Sequence, residues 1–337
     1  MKVLITGGAG FIGSHLADAL ATRGDSVVLL DDLSTGSLEN VEHLLGGDSA
    51  QLVQGSVLDR ELVDRCMADV DACFHLASAV GVQLICQRPL DTLLANVRGN
   101  DIVISSAVEH GKRLLFTSTS EVYGKNGSGP LHEDSDRVLG SPFKSRWSYA
   151  TAKAFGEALA HTYARELGAE TMVVRLFNTV GPRQSACYGM VLPRFVRQAI
   201  ADEDLTVYGN GTQSRCFVHV EDTTRALVHL IETDEAIGNV YNVGSPDPVP
   251  IIELARRVIE LADSESRIRL VSYEEAYDSG FEELGRRQPD TTALEELIGW
   301  RATRSLDETI EDVIVYERSR VAAADGEREP QRLTLAR

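Results

Sequence analysis

Lys2-Val-Leu-Ile-Thr6-Gly7-Gly-Ala-Gly10-Phe-Ile-Gly13 opens the chain and decides which fold is predicted. The apolar run before the glycines predicts a buried strand, and an amphipathic helix follows to about Arg23. Glycines at this spacing let the backbone turn tightly and approach a pyrophosphate, which then lies at the helix N-terminus. A second strand, Val27–Leu30, ends at an acid. This order predicts a dinucleotide-binding unit, with the cofactor held by Gly7, Gly10, Phe11, Ile12, Gly13 and Asp31.

Asp31 lies about twenty residues beyond the glycine loop, where such units place an acidic residue on the ribose. A carboxylate there accepts hydrogen bonds from both ribose hydroxyls and repels a 2′-phosphate, so the predicted cofactor is NAD rather than NADP. The alternative is a glycine turn that only packs a helix on a sheet. The complete order of strand, loop, helix, strand and acid argues against that alternative.

The alternation of strands and helices continues through the first half of the chain. Further strands are predicted at 51–54, 71–75, 114–116 and 172–176, with a long helix at 89–110. Repeated βα units predict an α/β fold of Rossmann type, with a doubly wound parallel sheet and right-handed crossovers. Leu76, Ala77 and Ser78 follow the fourth strand and are expected at the cofactor crevice, as is Asn96 on the next helix. We interpret His75 as a core histidine with satisfied hydrogen bonds.

Two motifs carry the predicted chemistry, Thr117-Ser-Thr-Ser-Glu-Val-Tyr-Gly124 and Tyr149-Ala-Thr-Ala-Lys153. The first follows a buried strand, and open α/β sheets bind their ligands at the carboxyl ends of strands. The second lies in an alanine-rich predicted helix, Trp147–Leu167, where positions i and i+4 share a face. An adjacent ammonium favours phenolate and is expected to lower the pKa of Tyr149 from about 10 towards neutrality. Such a tyrosine takes a proton from a substrate hydroxyl while hydride leaves its carbon.

After Asn178-Thr-Val-Gly-Pro-Arg183 the pattern changes to short elements with more turns. We predict a first, NAD-binding lobe over residues 1–178 and a smaller, substrate-binding lobe over residues 179–315. A return segment near 217–244 brings a strand back to the first sheet, so the lobes are interleaved. Residues 318–337 lack a sustained apolar period and predict a loose tail.

Polar residues of the second half are candidates for holding substrate. Arginines on an acidic chain are usually solvated surface pairs. Arg215, however, lies between a glycine turn and an apolar strand, a setting that aims a bidentate guanidinium at a phosphate. The predicted substrate-binding residues of this half are Asn178, Arg183, Arg194, Tyr208 and Arg215.

Composition limits the class of protein. The net charge of −18 argues against nucleic acid or an anionic membrane surface as partner,. The five cysteines are odd in number and never occur as C-x-x-C, which indicates small buried hydrophobes in a reducing compartment,. No apolar run reaches membrane-spanning length, and Met1 leads straight into a strand, so we expect a cytoplasmic protein. No metal site is predicted.

Together, G-G-A-G-F-I-G, H-L-A-S, S-T-S-E-V-Y-G, Y-A-T-A-K, F-N-T-V-G-P-R and the Arg215 segment resemble the extended short-chain dehydrogenase/reductases that modify nucleotide sugars. The resemblance covers about residues 1–315. It implies a bound NAD used catalytically, with oxidation at the sugar C4 hydroxyl and further chemistry on the 4-keto sugar. It assigns the glycine loop and Asp31 to NAD, and Tyr149 with Lys153 to catalysis. One departure is Ser56, where the family usually has an Asp facing adenine.

Residues 118–121 favour one reaction within this group. Sugar 4-epimerases generally carry small or hydroxyl residues there, and 4,6-dehydratases usually carry Asp-Glu. S-T-S-E-V-Y-G is most similar to the UDP-glucuronate decarboxylases (UDP-xylose synthases) and to the decarboxylase of the 4-amino-arabinose lipid pathway. The latter also resembles Ser145-Arg-Trp-x-Tyr149, and its catalytic Arg matches Arg287. Y-A-T-A-K departs from the Y-D-E-G-K common in UDP-xylose synthases.

The resemblance implies that C4 oxidation turns a UDP-linked uronate into a β-keto acid, which loses CO₂ and leaves an enolate. Glu121 would destabilise the charged ground state or position a water, and Arg287 would hold the carboxylate. For Glu121 a solvated or helix-capping carboxylate remains open, and for Arg287 surface pairing does. The predicted catalytic residues are Thr119, Ser120, Glu121, Tyr149, Lys153 and Arg287.

Two other functions stay open. A 4-epimerase, or a 4,6-dehydratase, would use the same Tyr149–Lys153 couple and leave the carbon count unchanged. A non-catalytic NAD-binding regulator should have lost one of the two residues, and both are present. We also predict a homodimer, because related enzymes pair the helices 89–110 and 147–167 across a two-fold axis and because small residues of the second helix, Ala150, Ala152, Ala154, Ala158 and Ala160, let a partner helix come close. The alternative is that the alanines of the second helix only pack on the sheet.

Overall fold

The computed structural model of the protein describes residues 1–328, apart from residues 48, 81–87, 128, 145, 187–189 and 277–285. The strands within this part of the chain are β1 Lys2–Thr6, β2 Ser26–Asp31, β3 Ala50–Gln54, β4 Ala72–His75, β5 Arg113–Thr119, β6 Thr171–Leu176, β7 Thr179–Val180, β8 Leu205–Tyr208, β9 Ser214–Cys216, β10 Val218–His219, β11 Val240–Val243, β12 Pro248–Pro250, β13 Ile268–Val271 and β14 Arg286–Arg287.

The main sheet positions the candidate site. Across the described residues it has seven strands in the order β3-β2-β1-β4-β5-β6-β11, and all are parallel. Its strands are continuous apolar runs, and Val3, Leu4 and Ile5 of β1 have no exposed surface. Such runs are typical of parallel strands buried on both faces. The predicted doubly wound sheet is confirmed, including the return of β11 to pair with β6.

Helices cover both faces of the main sheet and build the smaller lobe. In the described part of the chain they are α1 Phe11–Arg23, α2 Arg60–Ala68, α3 Pro89–Glu109, α4 Arg146–Leu167, α5 Val191–Ile200, α6 Val220–Glu232, α7 Ile251–Leu261, α8 Tyr273–Ala276, α9 Thr292–Ile298 and α10 Leu306–Arg328. One apolar core lies between the sheet and α1 and α6, and another between the sheet and α2, α3 and α4. No helix among these residues is long and apolar enough to cross a bilayer.

The smaller lobe has its own core, in which α5, α7 and α10 pack around β8. Three short strands, β12, β9 and β14, form a sheet beside it. Arg215 of β9 lies opposite Arg287 of β14 in the parallel register. The pairing of β9 with β14 therefore brings two arginines, 72 residues apart in the sequence, to one wall of the lobe.

Two predicted boundaries need correction. Leu294 and Trp300 belong to the core beside α1 and α6, so this segment packs on the main sheet although the prediction placed residues 179–315 in the smaller lobe. The loose tail predicted from residue 318 is wrong as far as residue 328, which α10 reaches. Arg318 donates a hydrogen bond to the Ala262 carbonyl oxygen at 2.7 Å. The remaining tail residues lie outside the described chain.

Candidate active site

A cavity of about 720 Å³ runs along the carboxyl edge of the main sheet and into the smaller lobe. It is lined by nearly all predicted site residues: Gly7, Gly10, Phe11, Ile12, Gly13, Asp31, Leu76, Ala77, Ser78, Asn96, Thr119, Ser120, Glu121, Tyr149, Lys153, Asn178, Arg194, Tyr208, Arg215 and Arg287. Motifs from six separate parts of the sequence therefore converge on one space, because the parallel strands end at the same edge.

Arg183 is the exception, since it does not line this cavity. Its backbone adopts a left-handed φ of 67°, and its Nη1 donates to the Asp18 carboxylate of α1 at 2.7 Å. His15, also on α1, contacts the neighbouring Pro182 carbonyl oxygen. The guanidinium therefore joins the smaller lobe to α1 in this structure, and its contact with substrate stays a prediction.

Gly7 and Gly13 of the glycine loop have no room for a Cβ. Gly7 has φ 72°, and a Cβ there would lie 2.9 Å from the Ala77 backbone nitrogen. A Cβ on Gly13 would lie 2.1 Å from the Gly7 carbonyl oxygen. The loop therefore runs directly against the chain segment after β4 and leads into the N-terminus of α1. This bare backbone at a helix N-terminus fits the pyrophosphate of a dinucleotide.

Asp31 is buried at the end of β2. Its carboxylate accepts hydrogen bonds from the backbone N–H of Ala9 at 2.9 Å and of Leu33 at 2.8 Å. Burial raises the pKa of this carboxyl, and the backbone donors oppose the increase. Two oxygens with several lone pairs can also accept from ribose hydroxyls in the cavity. The loop and the acid thus fit NAD, and the acid disfavours the 2′-phosphate of NADP.

Asn96 holds the segment that follows β4. Its side-chain oxygen accepts from Ser78 Oγ at 2.9 Å and from the Ala79 backbone N–H at 2.8 Å, and its Nδ2 donates to the Ala79 carbonyl oxygen at 3.0 Å. Ser78 also hydrogen-bonds Tyr149. Asn96 therefore acts on the site by fixing the loop that carries Ser78.

Lys153 is almost fully buried, with 1% of its surface exposed. Its Nζ donates to the Thr117 carbonyl oxygen at 2.8 Å. Burial lowers the pKa of Lys153 to about 7, and the Glu157 carboxylate one helical turn away opposes the decrease. The lysine therefore exchanges between ammonium and amine close to neutral pH.

Tyr149 differs from the expectation. Burial raises the pKa of its phenol, and the charge of Glu121 adds to the increase, while the hydrogen bond with Ser78 opposes it. The predicted decrease towards neutrality is wrong in this structure, because the loss of solvent around the buried phenol is the largest influence on its pKa. For Tyr149 to act as the base that deprotonates a substrate hydroxyl, the groups around it must stabilise its phenolate.

Glu121 lies between two guanidinium groups. Arg287 Nη1 is 2.6 Å from Oε1, and Arg146 Nη2 is 3.1 Å from Oε2. Arg287 Nη1 also donates to Ser120 Oγ at 3.3 Å. Burial favours the neutral acid, but the charges of Arg287, Arg146 and Arg215 outweigh it and hold the pKa of Glu121 below its ordinary value. The carboxylate is thus an ion-paired group of the cavity and not a solvated one.

Sequence reasoning missed Arg146 as a residue of the site. The only signal was its position three residues before Tyr149, within a motif quoted for another reason. Its partner Glu121 lies 25 residues away in the sequence, so no helical or strand period reveals the contact. It becomes visible only when the first residue of α4 is placed beside the end of β5.

The smaller lobe supplies an arginine stacked on an aromatic ring. The Arg194 guanidinium lies 4.2 Å from the centroid of the Tyr208 ring, and its Nη2 donates to the Thr206 carbonyl oxygen at 3.1 Å. Within the described residues its Nε and Nη1 are buried without a hydrogen-bond partner. Buried donors of this kind normally have an acceptor, so the geometry fits an anionic ligand group in the cavity.

A buried ion pair supports the site from behind. Arg175 of β6 donates to both carboxylate oxygens of Glu157 at 3.0 and 2.8 Å, and Ser118 Oγ donates to the same carboxylate. Lys153 donates a hydrogen bond to the Thr117 carbonyl oxygen, and Glu157 accepts one from Ser118, so two hydrogen bonds join α4 to the last residues of β5. The catalytic motifs on these two elements are therefore held in a fixed relation.

The model of the NAD dependent epimerase/dehydratase family matches residues 3–244. The chain belongs to this family. NAD is accordingly its cofactor, in agreement with the geometry of the glycine loop and Asp31.

Relatives within the family include a UDP-N-acetyl-α-D-glucosaminuronate decarboxylase of Bacillus cytotoxicus. It is 38% identical over 318 residues, covering 94% of this chain and 98% of the relative. UDP-glucuronic acid decarboxylase 1 of Xenopus tropicalis is 35% identical over 94% of this chain and 72% of the relative. Among solved structures, a UDP-glucuronic acid 4-epimerase from Bacillus cereus, in complex with UDP-glucuronic acid and NAD, superposes with a TM-score of 0.84. It is 26% identical, with coverage of 95% of this chain and 99% of that one.

Proposed function

We propose that this family member decarboxylates UDP-glucuronate with NAD, through a 4-keto intermediate, to UDP-xylose or UDP-4-keto-xylose. The observation that carries the proposal is the Glu121–Arg287 ion pair beside Tyr149 in the cavity. The decarboxylases among the relatives support it. A 4-epimerase is the second candidate, and its support is the superposition on the Bacillus cereus enzyme.

The charges of the cavity match a nucleotide-linked uronate. Arg146, Arg215 and Arg287 are close enough to Glu121 to lower its pKa, and Arg194 adds a fourth guanidinium to the lining. Buried cations are stable only with compensating negative charge. A nucleotide-linked uronate provides negative charge at two separate positions, the diphosphate and the carboxylate. A nucleotide sugar without a carboxylate provides it only at the diphosphate.

Oxidation at C4 is the first chemical step of the proposal. The Tyr149 oxygen takes the proton of the C4 hydroxyl, and Lys153 in its ammonium form, four residues along the same helix, offsets part of the cost of forming the phenolate in this buried site. NAD, when bound, supplies the acceptor for the hydride that leaves C4. The bond between Lys153 and the Thr117 carbonyl oxygen keeps that ammonium in place.

Decarboxylation follows on the 4-keto sugar. The C5–C6 bond breaks, its electron pair moves into an enolate with negative charge on the C4 oxygen, and C6 leaves as CO₂. The hydroxyl of Tyr149, now protonated, and a hydroxyl of Thr119 or Ser120 donate hydrogen bonds to that oxygen. A water molecule that Glu121 positions then donates a proton to C5, and the hydroxide that remains takes up a proton from solvent. Return of the hydride to C4, with the tyrosine proton, gives UDP-xylose, and release before that return gives the 4-keto sugar.

The test is incubation with UDP-glucuronate, followed by chromatographic separation and mass analysis of the nucleotide sugars, because the 4-epimer has the same mass as the substrate. The expected result is CO₂ and a UDP-pentose from the parent enzyme, with most of the turnover lost in Glu121→Gln and NAD still bound. Glu166→Gln, on the exposed side of α4, is the matched control, and it should leave the product and rate unchanged. UDP-galacturonate without CO₂ would instead identify the 4-epimerase. Parallel incubation with UDP-N-acetylglucosaminuronate determines whether the C2 substituent is a hydroxyl or an acetamido group.

The proposal includes a homodimer built on α3 and α4. Of the five alanines of α4 expected at the interface, Ala150, Ala152, Ala154 and Ala160 are buried within the chain itself, so among them the exposed Ala158 alone is available to a partner helix. The support is instead the exposed apolar surface of Leu90, Leu94 and Phe155 on these helices. Light scattering at micromolar concentration should give twice the 36.7 kDa of one chain. A mass of one chain would contradict the dimer.

The proposal also places the enzyme in the cytoplasm. Cys66, Cys73 and Cys216 are buried free thiols, and burial raises the pKa of Cys66 and Cys73, which keeps them unreactive. Cys86 and Cys187 lie outside the described residues. Subcellular fractionation of a tagged protein tests the location, and recovery outside the cytoplasmic fraction would contradict it.

A further inference from the structure

The Glu121 carboxylate is shared by two guanidiniums that come from different parts of the fold. Arg287 lies on β14 of the smaller lobe and reaches Oε1 at 2.6 Å. Arg146 is the first residue of α4, which packs on the main sheet, and it reaches Oε2 at 3.1 Å. Arg146 Nη2 also donates a hydrogen bond to Oε1 at 3.3 Å, so both arginines contact that oxygen and the loss of either leaves the carboxylate paired with the other.

All three side chains are removed from water. Arg146 and Arg287 have 7% and 6% of their surface exposed, and the Glu121 side chain has 17% exposed. A buried carboxylate without a cation is costly, and so is a buried guanidinium without an anion. Any rearrangement that separates Glu121 from Arg287 therefore needs a replacement partner on each side. Among the groups that face Glu121, Arg146 and Arg215 are cationic and Tyr149 is neutral at ordinary pH.

We propose that Arg146 is a positioning residue that keeps Glu121 paired while Arg287 is transferred to the substrate's carboxylate. The inference rests on the decarboxylase function proposed above. When the uronate binds, the Arg287–Glu121 bond is exchanged for an Arg287–uronate bond, and Arg146 holds Glu121 in place. When C6 leaves as CO₂, Arg287 loses that partner and returns to Glu121.

The exchange explains why one carboxylate has two cations. With Arg287 alone, Glu121 would compete with the substrate for the same guanidinium, and binding of the uronate would leave a buried charge unpaired. Arg146 removes that penalty because its own contacts with Glu121, 3.1 Å to Oε2 and 3.3 Å to Oε1, do not depend on Arg287. The role therefore predicts an effect on ligands that carry a carboxylate and none on ligands that lack it.

The test compares Arg146→Met with Arg146→Lys, both in a Tyr149→Phe background that blocks oxidation, so that equilibrium Kd values are measured. The Kd for UDP-glucuronate should rise at least about tenfold in Arg146→Met, the order expected when one member of a buried charge group is removed. The Kd for UDP-glucose should stay within about twofold, since it lacks the carboxylate. Arg146→Lys keeps the charge and should recover most of the uronate affinity.

A second comparison adds Glu121→Gln, whose amide no longer competes strongly for Arg287. In that background, Arg146→Met should change the Kd for UDP-glucuronate by less than about threefold. The difference from the roughly tenfold effect in the presence of Glu121 is the coupling expected of residues in one charge network. Equal increases in both backgrounds, or equal losses for UDP-glucose and UDP-glucuronate, would overturn the proposal in favour of a structural role. If Arg146→Met does not fold, Arg146→Gln carries the same comparison.

CO₂ formation by the parent enzyme separates a failure of the decarboxylase proposal from a failure of the proposed role of Arg146. If the parent yields no CO₂ from UDP-glucuronate but Arg146 variants still weaken uronate binding selectively, the charge exchange stands and the reaction assignment fails. If CO₂ is formed and the selective weakening is absent, only the role of Arg146 fails.

Discussion

The buried pair of Arg175 and Glu157 offers the sharpest test of how the site is supported. Both residues are nearly inaccessible, with 7% and 8% of their surface exposed. The guanidinium makes two bonds to the carboxylate, at 3.0 and 2.8 Å. Glu157→Gln removes the charge and nearly preserves the shape, so Arg175 is left as a buried cation without its anion.

Removing one member of a buried ion pair costs about 3–5 kcal/mol, and the amide oxygen that remains places this variant near the lower value. Unfolding entropy is about 2.1 cal/mol/K per residue, so for a chain of 337 residues a loss of 3 kcal/mol lowers Tm by about 4 °C,. Glu157 is also a charge that raises the pKa of Lys153. Loss of the Glu157 charge should lower the pKa of Lys153. Because the proposed reaction uses the ammonium form of Lys153, activity should begin to decline at a lower pH in Glu157→Gln than in the parent.

The assay is thermal unfolding with purified protein at fixed concentration and with NAD in excess. Glu166→Gln is the control, because the Arg165–Glu166 pair is 63% and 60% exposed and exposed pairs contribute less than about 1 kcal/mol. A Glu157→Gln variant that melts within about 1 °C of the control would refute the reasoning. Replacing both members, as Arg175→Met with Glu157→Met, should cost less than Arg175→Met alone, since no unpaired charge remains.

Three further predictions concern the cofactor and the catalytic couple. Gly13→Ala should abolish co-purification of NAD, measured by absorbance of the denatured extract, because its Cβ would lie 2.1 Å from the Gly7 carbonyl oxygen. Asp31→Asn should raise the affinity for NADP relative to NAD, measured by calorimetry, and equal ratios for variant and parent would contradict that role. Lys153 has a folded pKa of about 7 and an unfolded value of 10.5, so the unfolded chain binds more protons between these values and parental stability rises with pH there. The Lys153→Met variant lacks this contribution. In denaturant unfolding, its free energy of unfolding minus that of the parent should therefore increase as pH falls from 10 to 7,.

Local pattern was sufficient to predict most of the main sheet. Lys2–Thr6 was predicted with its observed bounds, and the helix from Trp147 begins one residue earlier than predicted. The first is a continuous apolar run and the second an alanine-rich segment, and both patterns depend only on neighbouring residues. The spacing of Tyr149 and Lys153 also placed them on one helix face, because that relation depends on four residues of a single helix.

Relations between distant segments could not be derived in this way. The ion pair of Arg146 with Glu121, the contact of Arg183 with Asp18, and the packing of Trp300 in the core beside α1 each join residues from separate elements. The raised pKa of Tyr149 is of the same kind, because desolvation depends on all neighbours and not on one lysine,. The helical end of α10 was missed because the residues of this helix that reach the core, Ile310, Val313 and Ile314, all precede residue 318, so the segment beyond it has no apolar period to indicate a helix.

The seventh strand of the main sheet has a consequence for synthesis of the protein. β11 pairs with β6, but the ribosome makes β6 and then much of the smaller lobe before Val240–Val243 emerges. Until then β6 is an edge strand with unpaired backbone groups, a template for association with other nascent chains. We therefore expect fragments that end before residue 240 to aggregate when expressed, even though they contain the whole glycine loop and the Tyr149–Lys153 couple.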